Sequence, residues 1–71
     1  MERAYYVRYY GDEAVLIKME AAGKLNARDA KAYIYKDGTW KESPEHVIRV
    51  LYNGDYDEIT EAEAIKLMNE Q

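Results

Sequence analysis

The residues that could carry out acid–base or nucleophilic chemistry are few, and they lie close together in the chain. His46 is the only histidine, Ser43 precedes it by three positions, and there is no cysteine. A catalytic or metal-binding role for His46 would need partners from elsewhere, and without cysteine these would have to be carboxylates. Ser43, followed by Pro44, fits the N-cap of a helix better than a nucleophile. We therefore expect His46 to be an exposed residue in the first turn of that helix.

A second segment with potential chemistry is the acidic stretch at residues 53–58. Its alternating carboxylates suggest calcium, but a calcium loop beginning at Asn53 would have Glu58 where the sharp turn requires glycine. Gly23-Lys24 lacks the upstream glycine and the following hydroxyl residue of a phosphate-binding loop. The sequence thus predicts a solvated turn at residues 53–58. It predicts no catalytic, cofactor-binding or metal-binding residues, and a protein that is not an enzyme.

The elements that position the remaining candidates begin with a β-hairpin. Residues 4–10 and 14–19 are rich in strand-forming side chains, with a glycine between the two runs. A three-residue loop places Tyr5 opposite Met19 and gathers apolar side chains on one face, whereas a two-residue loop pairs Tyr5 with Lys18. We predict the three-residue loop. Its pairs are Tyr9 with Val15, Val7 with Ile17 and Tyr5 with Met19.

A second hairpin is predicted after an irregular connection. Residues 21–29 have no sustained period, so we expect a connecting segment with Leu25 directed inward. Residues 31–36 are typical of a strand, Asp37-Gly38 is a two-residue turn signal, and residues 39–41 can form a short returning strand.

Two helices are predicted in the last third of the chain. Ser43, Pro44 and Glu45 supply an N-cap hydroxyl, a first-turn proline and a carboxylate near the positive helix end, which predicts a helix from 44 to about 52. A second helix begins at Thr60, which can form a capping box with Glu63.

This order of elements predicts an α+β fold. We expect a small antiparallel sheet of three to four strands (ββββ), followed by two C-terminal helices packed on one face of the sheet. Because the chain has only 71 residues, it should form one domain with one core, residues 1–71.

The eight tyrosines are the feature that points to a function. Under the three-residue loop, alternate side chains of the first hairpin face away from the helices. In the third strand either Tyr33 and Tyr35 or Ala32 and Ile34 face the core, and we favour the alanine and isoleucine. Tyrosine suits either the solvated back of a sheet or an interaction surface. The predicted interaction surface consists of Tyr6, Arg8, Tyr10, Leu16, Lys18, Tyr33 and Tyr35, beside Lys31.

Charge decides which partners are expected. Residues 1–42 carry a net charge of +1 and residues 43–71 a net charge of −5, which gives −4 overall. Because phosphate binding draws its affinity from lysine and arginine, we expect a protein partner or a homodimer. Single-stranded nucleic acid, stacked on the tyrosines, is the alternative. By analogy with phage-encoded inhibitors, a small acidic regulator encoded by a phage or mobile element could occupy the basic, nucleic-acid-binding surface of another protein. A net charge of −4 is low for a strong mimic of nucleic acid.

The absence of cysteine and of any long apolar run leads us to expect a cytoplasmic location without a membrane partner.

Overall fold

The computed structural model describes residues 1–25 and 28–70, and it has an α+β architecture, as predicted. A five-stranded antiparallel sheet is combined with two helices. The elements in chain order are β1 (Glu2–Tyr10), β2 (Glu13–Ala21), β3 (Lys31–Lys36), β4 (Thr39–Glu42), α1 (Glu45–Leu51), β5 (Asp57–Ile59) and α2 (Glu61–Glu70).

The sheet contains one strand more than the three to four that the sequence predicted. Its strand order is β4-β3-β2-β1-β5, and β5 lies between the two helices in the chain. β5 pairs antiparallel with β1, placing Ile59 opposite Tyr5 and Asp57 opposite Val7. The expectation of a solvated turn at residues 53–58 is therefore wrong for its last two residues. A strand of three residues is too short to show a hydrophobic period.

The first hairpin has a two-residue loop and not the predicted three-residue loop. Tyr5 pairs with Lys18 and Arg8 with Val15, so the predicted register is wrong by one residue. The loop is Gly11-Asp12, and Gly11 has a φ of 61°. A glycine with positive φ at the first loop position is the signature of a type II′ turn, whose twist matches that of paired strands. Local turn geometry thus determined the register.

The second hairpin agrees with its prediction. Asp37 and Gly38 form the two-residue loop, with φ values of 53° and 80°. Two positive φ values are the pattern of a type I′ turn. As a result Tyr35 lies directly opposite Trp40.

One face of the sheet packs against α1. Ile17, Met19 and Ala32 from the strands form a buried cluster with Val47 and Val50 of α1. Ile34 is partly buried against the same cluster, which confirms that Ala32 and Ile34 face the core. Tyr56 and the partly buried Leu25 also pack here, so Leu25 is directed inward as predicted. The predicted connection also included residues 26 and 27, which lie outside the described residues.

The opposite face of the sheet packs against α2. Val7 and Leu16 are paired neighbours on this face, and Leu16 is fully buried. α2 contacts β1 and β2, and its Ala64 is also fully buried. The hydroxyl of Tyr5, on the same face as Val7, donates to a carboxylate oxygen of Glu61 at 3.3 Å. The two helices therefore lie on opposite faces, and not on one face as predicted.

The two helices begin in different ways. At α2 the predicted capping box is present: the amide of Thr60 donates to Oε1 of Glu63 at 3.2 Å, and the amide of Glu63 donates to Oγ1 of Thr60 at 3.1 Å. At α1 no side chain caps the helix, although Ser43 was predicted to do so. None of the helices formed by residues 1–25 and 28–70 has the length and apolar character needed to cross a membrane.

Candidate interaction surface

Five side chains from β1, β2, β3 and β4 come together on the α2 face of the sheet. Strand pairing aligns Tyr5, Lys18 and Tyr33 in one row, and it aligns Tyr35 with Trp40 two residues further along β3. We call these residues, Tyr5, Lys18, Tyr33, Tyr35 and Trp40, the aromatic cluster.

The rings of the aromatic cluster contact one another at an angle. Tyr35 and Trp40 have centroids 5.1 Å apart with an interplanar angle of 62°, and Tyr5 and Trp40 are 6.2 Å apart at 48°. Such tilted and edge-to-face arrangements are the favourable ones for aromatic pairs. All four aromatic residues are half-buried, so each keeps part of its surface in contact with solvent.

Lys18, on the central strand β2, contacts two rings of the aromatic cluster. Its Nζ lies 4.8 Å from the ring centroid of Trp40 and 5.1 Å from that of Tyr33, both within the range of a cation–π interaction. The lysine side chain is only 17% exposed. Its charge thus covers one face of each ring and leaves less ring surface for a ligand.

Charged side chains flank the aromatic cluster. Nε of Arg3 donates to Oε2 of Glu20 at 2.8 Å, and Nζ of Lys18 lies 3.8 Å from the same oxygen. The hydrogen bond and charge of Glu20 raise the pKa of Arg3 further above its usual range. The negative charge of Glu20 is thus compensated by Arg3 and Lys18. The exposed Lys31 lies on the same face, two residues before Tyr33.

The seven residues of the predicted interaction surface do not share one face. Lys18, Tyr33 and Tyr35 belong to the aromatic cluster, and Leu16 lies on the same face but is fully buried. The remaining three side chains project from the opposite, α1-facing side, because the register of the first hairpin differs by one residue from the predicted one. These are Tyr6, Arg8 and Tyr10.

The three residues on the α1 side have local partners. Tyr6 packs against the core cluster, and its burial, followed by the charge of Glu58, raises the pKa of its hydroxyl. The guanidinium carbon of Arg8 lies 4.8 Å from the ring centroid of Tyr10, and an Arg8 nitrogen lies 3.6 Å from Asp55. These contacts hold Arg8 at the end of β1, away from the aromatic cluster.

Two members of the aromatic cluster were missed from the sequence. Trp40 was placed on the returning strand but not on a surface, although the Asp37-Gly38 turn already sets it opposite Tyr35. Tyr5 was assigned to the helix-facing core. The Gly11-Asp12 turn signal, if followed, would have placed Tyr5 beside Lys18.

A separate polar group lies at the start of α1. Oγ of Ser43 is 2.6 Å from Nδ1 of His46, and the His46 ring meets the Tyr56 ring edge-on at a centroid distance of 5.8 Å. Ser43 is 5% exposed and His46 is 8% exposed, so the prediction that His46 is exposed is wrong. The Ser43 hydroxyl is used by the imidazole, which explains why it does not cap the helix.

The contact between Ser43 and His46 is a structural one. Burial lowers the pKa of His46 below its usual value; the charge of Glu45 opposes this effect and that of Arg49 adds to it. A neutral imidazole can bond the Ser43 hydroxyl through Nδ1 in either direction. Nucleophilic catalysis would need the serine oxygen to reach a substrate, and Ser43 is too deeply buried for that.

Within the described ranges, no three acidic or histidine side chains are grouped as ligands for a metal ion. Comparison of the chain with protein-family models, with curated proteins and with solved structures gave no match.

Proposed function

We propose that this protein is a protein-interaction module that binds its partner through the aromatic cluster. The observation that carries the proposal is the concentration of Trp40, Tyr33 and Tyr35 on one part of the sheet, each partly open to solvent. Tryptophan and tyrosine are the residue types that most often dominate the binding energy of protein interfaces. The partner is another protein or a second copy of this chain.

The arrangement of charges supports a protein partner over single-stranded nucleic acid. Base stacking needs free ring faces, and Lys18 already covers one face of Trp40 and one of Tyr33. The exposed carboxylate of Glu42 lies on the same side of the sheet, where it repels phosphate. The net charge of −4 adds to that repulsion.

Affinity capture from the native host with matched variants tests the proposal. The double variant Tyr33→Ala/Tyr35→Ala removes two rings of the cluster. Tyr9→Ala/Tyr52→Ala removes two tyrosines outside it, which are 60% and 70% exposed. We expect wild type and the Tyr9/Tyr52 variant to retain the same proteins, and the Tyr33/Tyr35 variant to lose them while its circular dichroism stays folded. Equal capture by all three would refute the proposal.

Two further measurements identify the class of partner. Sedimentation velocity over a concentration series shows whether the partner is a second copy. Trp40 is the only tryptophan, so its fluorescence reports on the cluster during a titration with mixed-sequence single-stranded DNA. A fluorescence change that disappears at high salt and in the Tyr33/Tyr35 variant would establish nucleic-acid binding in place of the proposed function.

A further inference from the structure

β4 is a terminal strand whose outer edge is open. It is the first strand in the order β4-β3-β2-β1-β5, so among residues 1–25 and 28–70 only β3 pairs with it. The amide of Ser43 donates to the carbonyl of Ala32 at 2.8 Å, which makes this a hydrogen-bonded pair. In an antiparallel ladder such pairs alternate, so Thr39 and Lys41 direct their backbone groups toward β3. Trp40 and Glu42 direct theirs outward.

The two sides of this edge differ in chemistry. Lys41 is opposite Ile34 and Thr39 is opposite Lys36, so both lysines lie on the α1-facing side of the sheet. Both are exposed, and in the ranges 1–25 and 28–70 neither takes part in an ion pair. On the other side lies Trp40, whose half-buried ring leans across the sheet toward Lys18 and Tyr5, so that only its outer flank faces the edge. An added strand would therefore meet positive charge on one side and an aromatic ring on the other.

We propose that the outer edge of β4 binds an extended peptide segment in which acidic and apolar residues alternate. The segment pairs antiparallel with β4 through the outward backbone groups of Trp40 and Glu42. Its apolar residue lies opposite Trp40, and the acidic residues on either side lie opposite Lys41 and Thr39, within reach of Lys36. This inference rests on the proposed interaction module and adds the class of partner that the module recognises.

Charge complementarity and strand geometry specify this partner together. Side chains alternate between the two sides of a strand, so a peptide can satisfy both sides of the edge only with a period of two residues. An acidic residue directly opposite Lys41 forms a favourable cross-strand pair, whereas a basic residue there is repelled.

Short capped peptides test the inference without knowledge of the natural partner. Thr-Glu-Val-Glu-Thr carries the alternation, Thr-Lys-Val-Lys-Thr reverses its charge, and Glu-Glu-Val-Thr-Thr has the same composition without the alternation. Titrations of isotope-labelled protein are followed by the backbone amide shifts of β4. At low salt we expect the first peptide to bind at least about tenfold more tightly than the other two. The amides of Trp40 and Glu42 should shift more than those of Thr39 and Lys41.

A charge-reversed variant provides the matched control. In Lys36→Glu/Lys41→Glu both substitutions are at exposed positions, so the fold should persist. We expect this variant to prefer the lysine peptide, again by about tenfold. A fourth peptide, Thr-Glu-Pro-Glu-Thr, lacks the amide that pairs with Trp40 and should bind neither protein.

The inference fails if wild type shows no preference for the alternating acidic peptide, if the preference persists unchanged in the lysine variant, or if the proline peptide binds equally. It also fails if the largest amide shifts lie outside β4. None of these results affects the capture experiment with the Tyr33/Tyr35 variant. The proposed function and the class of partner are therefore tested separately.

Discussion

His46 and Ser43 form a buried polar contact at the start of α1. The imidazole lies between the Ser43 hydroxyl and the edge of the Tyr56 ring, which links the helix to the segment that leads into β5. Because burial disfavours the charged form, His46 is held neutral in the folded protein. Protonation would place a cation near Arg49 in a largely dry environment.

The folded protein should therefore lose stability on mild acidification. The pKa of His46 is lowered on folding, so its contribution is fully present above the usual value of about 6.5 and is lost as the pH falls from there toward the folded-state pKa. Urea unfolding of wild type between pH 5 and 8 measures the effect. His46→Gln removes the titrating imidazole, so the pH profile of this variant gives the contribution of the carboxylates alone. Parallel pH profiles for the two proteins would contradict the lowered pKa.

At the scale of elements, the turn of the first hairpin decides which tyrosines are buried. Gly11 has a φ of 61°, a conformation that costs little for glycine and is strained for other residues. Gly11→Ala should therefore destabilise the fold by about 1 kcal/mol or more. Gly23 has no such φ, and an added methyl group there meets no atom, so Gly23→Ala should be neutral within about 0.5 kcal/mol. Thermal melting compares the two, and equal losses would argue against the two-residue turn.

Substitutions in the capping box test independently where α2 begins. Thr60→Ala removes the acceptor for the Glu63 amide and should cost about 1 kcal/mol. Thr60→Ser retains that oxygen and should cost much less. If chemical denaturation shows the same stability for both variants, the hydrogen bonds at Thr60 do not hold the start of α2.

The elements that the sequence predicted well are those with local chemical signals. The Asp37-Gly38 turn, the Thr60–Glu63 capping box and the proline before α1 each specify geometry within four residues. β5 has no such signal, because its pairing with β1 depends on contacts with residues about fifty positions away. In the first hairpin the apolar pattern favours the three-residue loop, whereas the Gly11-Asp12 turn sets the observed register.

At the scale of the whole molecule, the sheet is a middle layer between two helices. Neighbouring residues of β2 contribute to both interfaces, since Leu16 faces α2 and Ile17 faces α1, and both are fully buried. When both faces of a sheet are covered, alternation of polar and apolar residues weakens. The pattern then cannot distinguish two registers that differ by one residue, which is why Tyr5 and Tyr6 were exchanged.

Paired truncations in β2 test this two-sided core. Leu16→Ala and Ile17→Ala should each cost about 2–5 kcal/mol, because each leaves a cavity in a fully buried position. In a sheet with both helices on one face, only one of these adjacent residues would be critical. Equilibrium unfolding that shows one of the two to be nearly neutral would contradict the arrangement.

The candidate surface was predictable in part. Lys18, Tyr33 and Tyr35 follow from the alternation along β2 and β3, and all three belong to the aromatic cluster. Tyr6, Arg8 and Tyr10 were misplaced through the register of β1. Tyr5 reaches Trp40 although two strands, β2 and β3, lie between their strands in the sheet, and such a contact depends on side-chain direction that no local pattern encodes.

Site-specific photo-crosslinking in the native host tests the central claim, that the aromatic cluster is the interaction surface, most directly. A photoreactive phenylalanine derivative replaces Tyr33 in the cluster or, as the control, Tyr52, the C-cap residue of α1, which is 70% exposed. If the aromatic cluster binds the partner, position 33 gives a discrete covalent adduct and position 52 gives none. An adduct from position 52 alone, equal adducts from both, or none from either would contradict this claim.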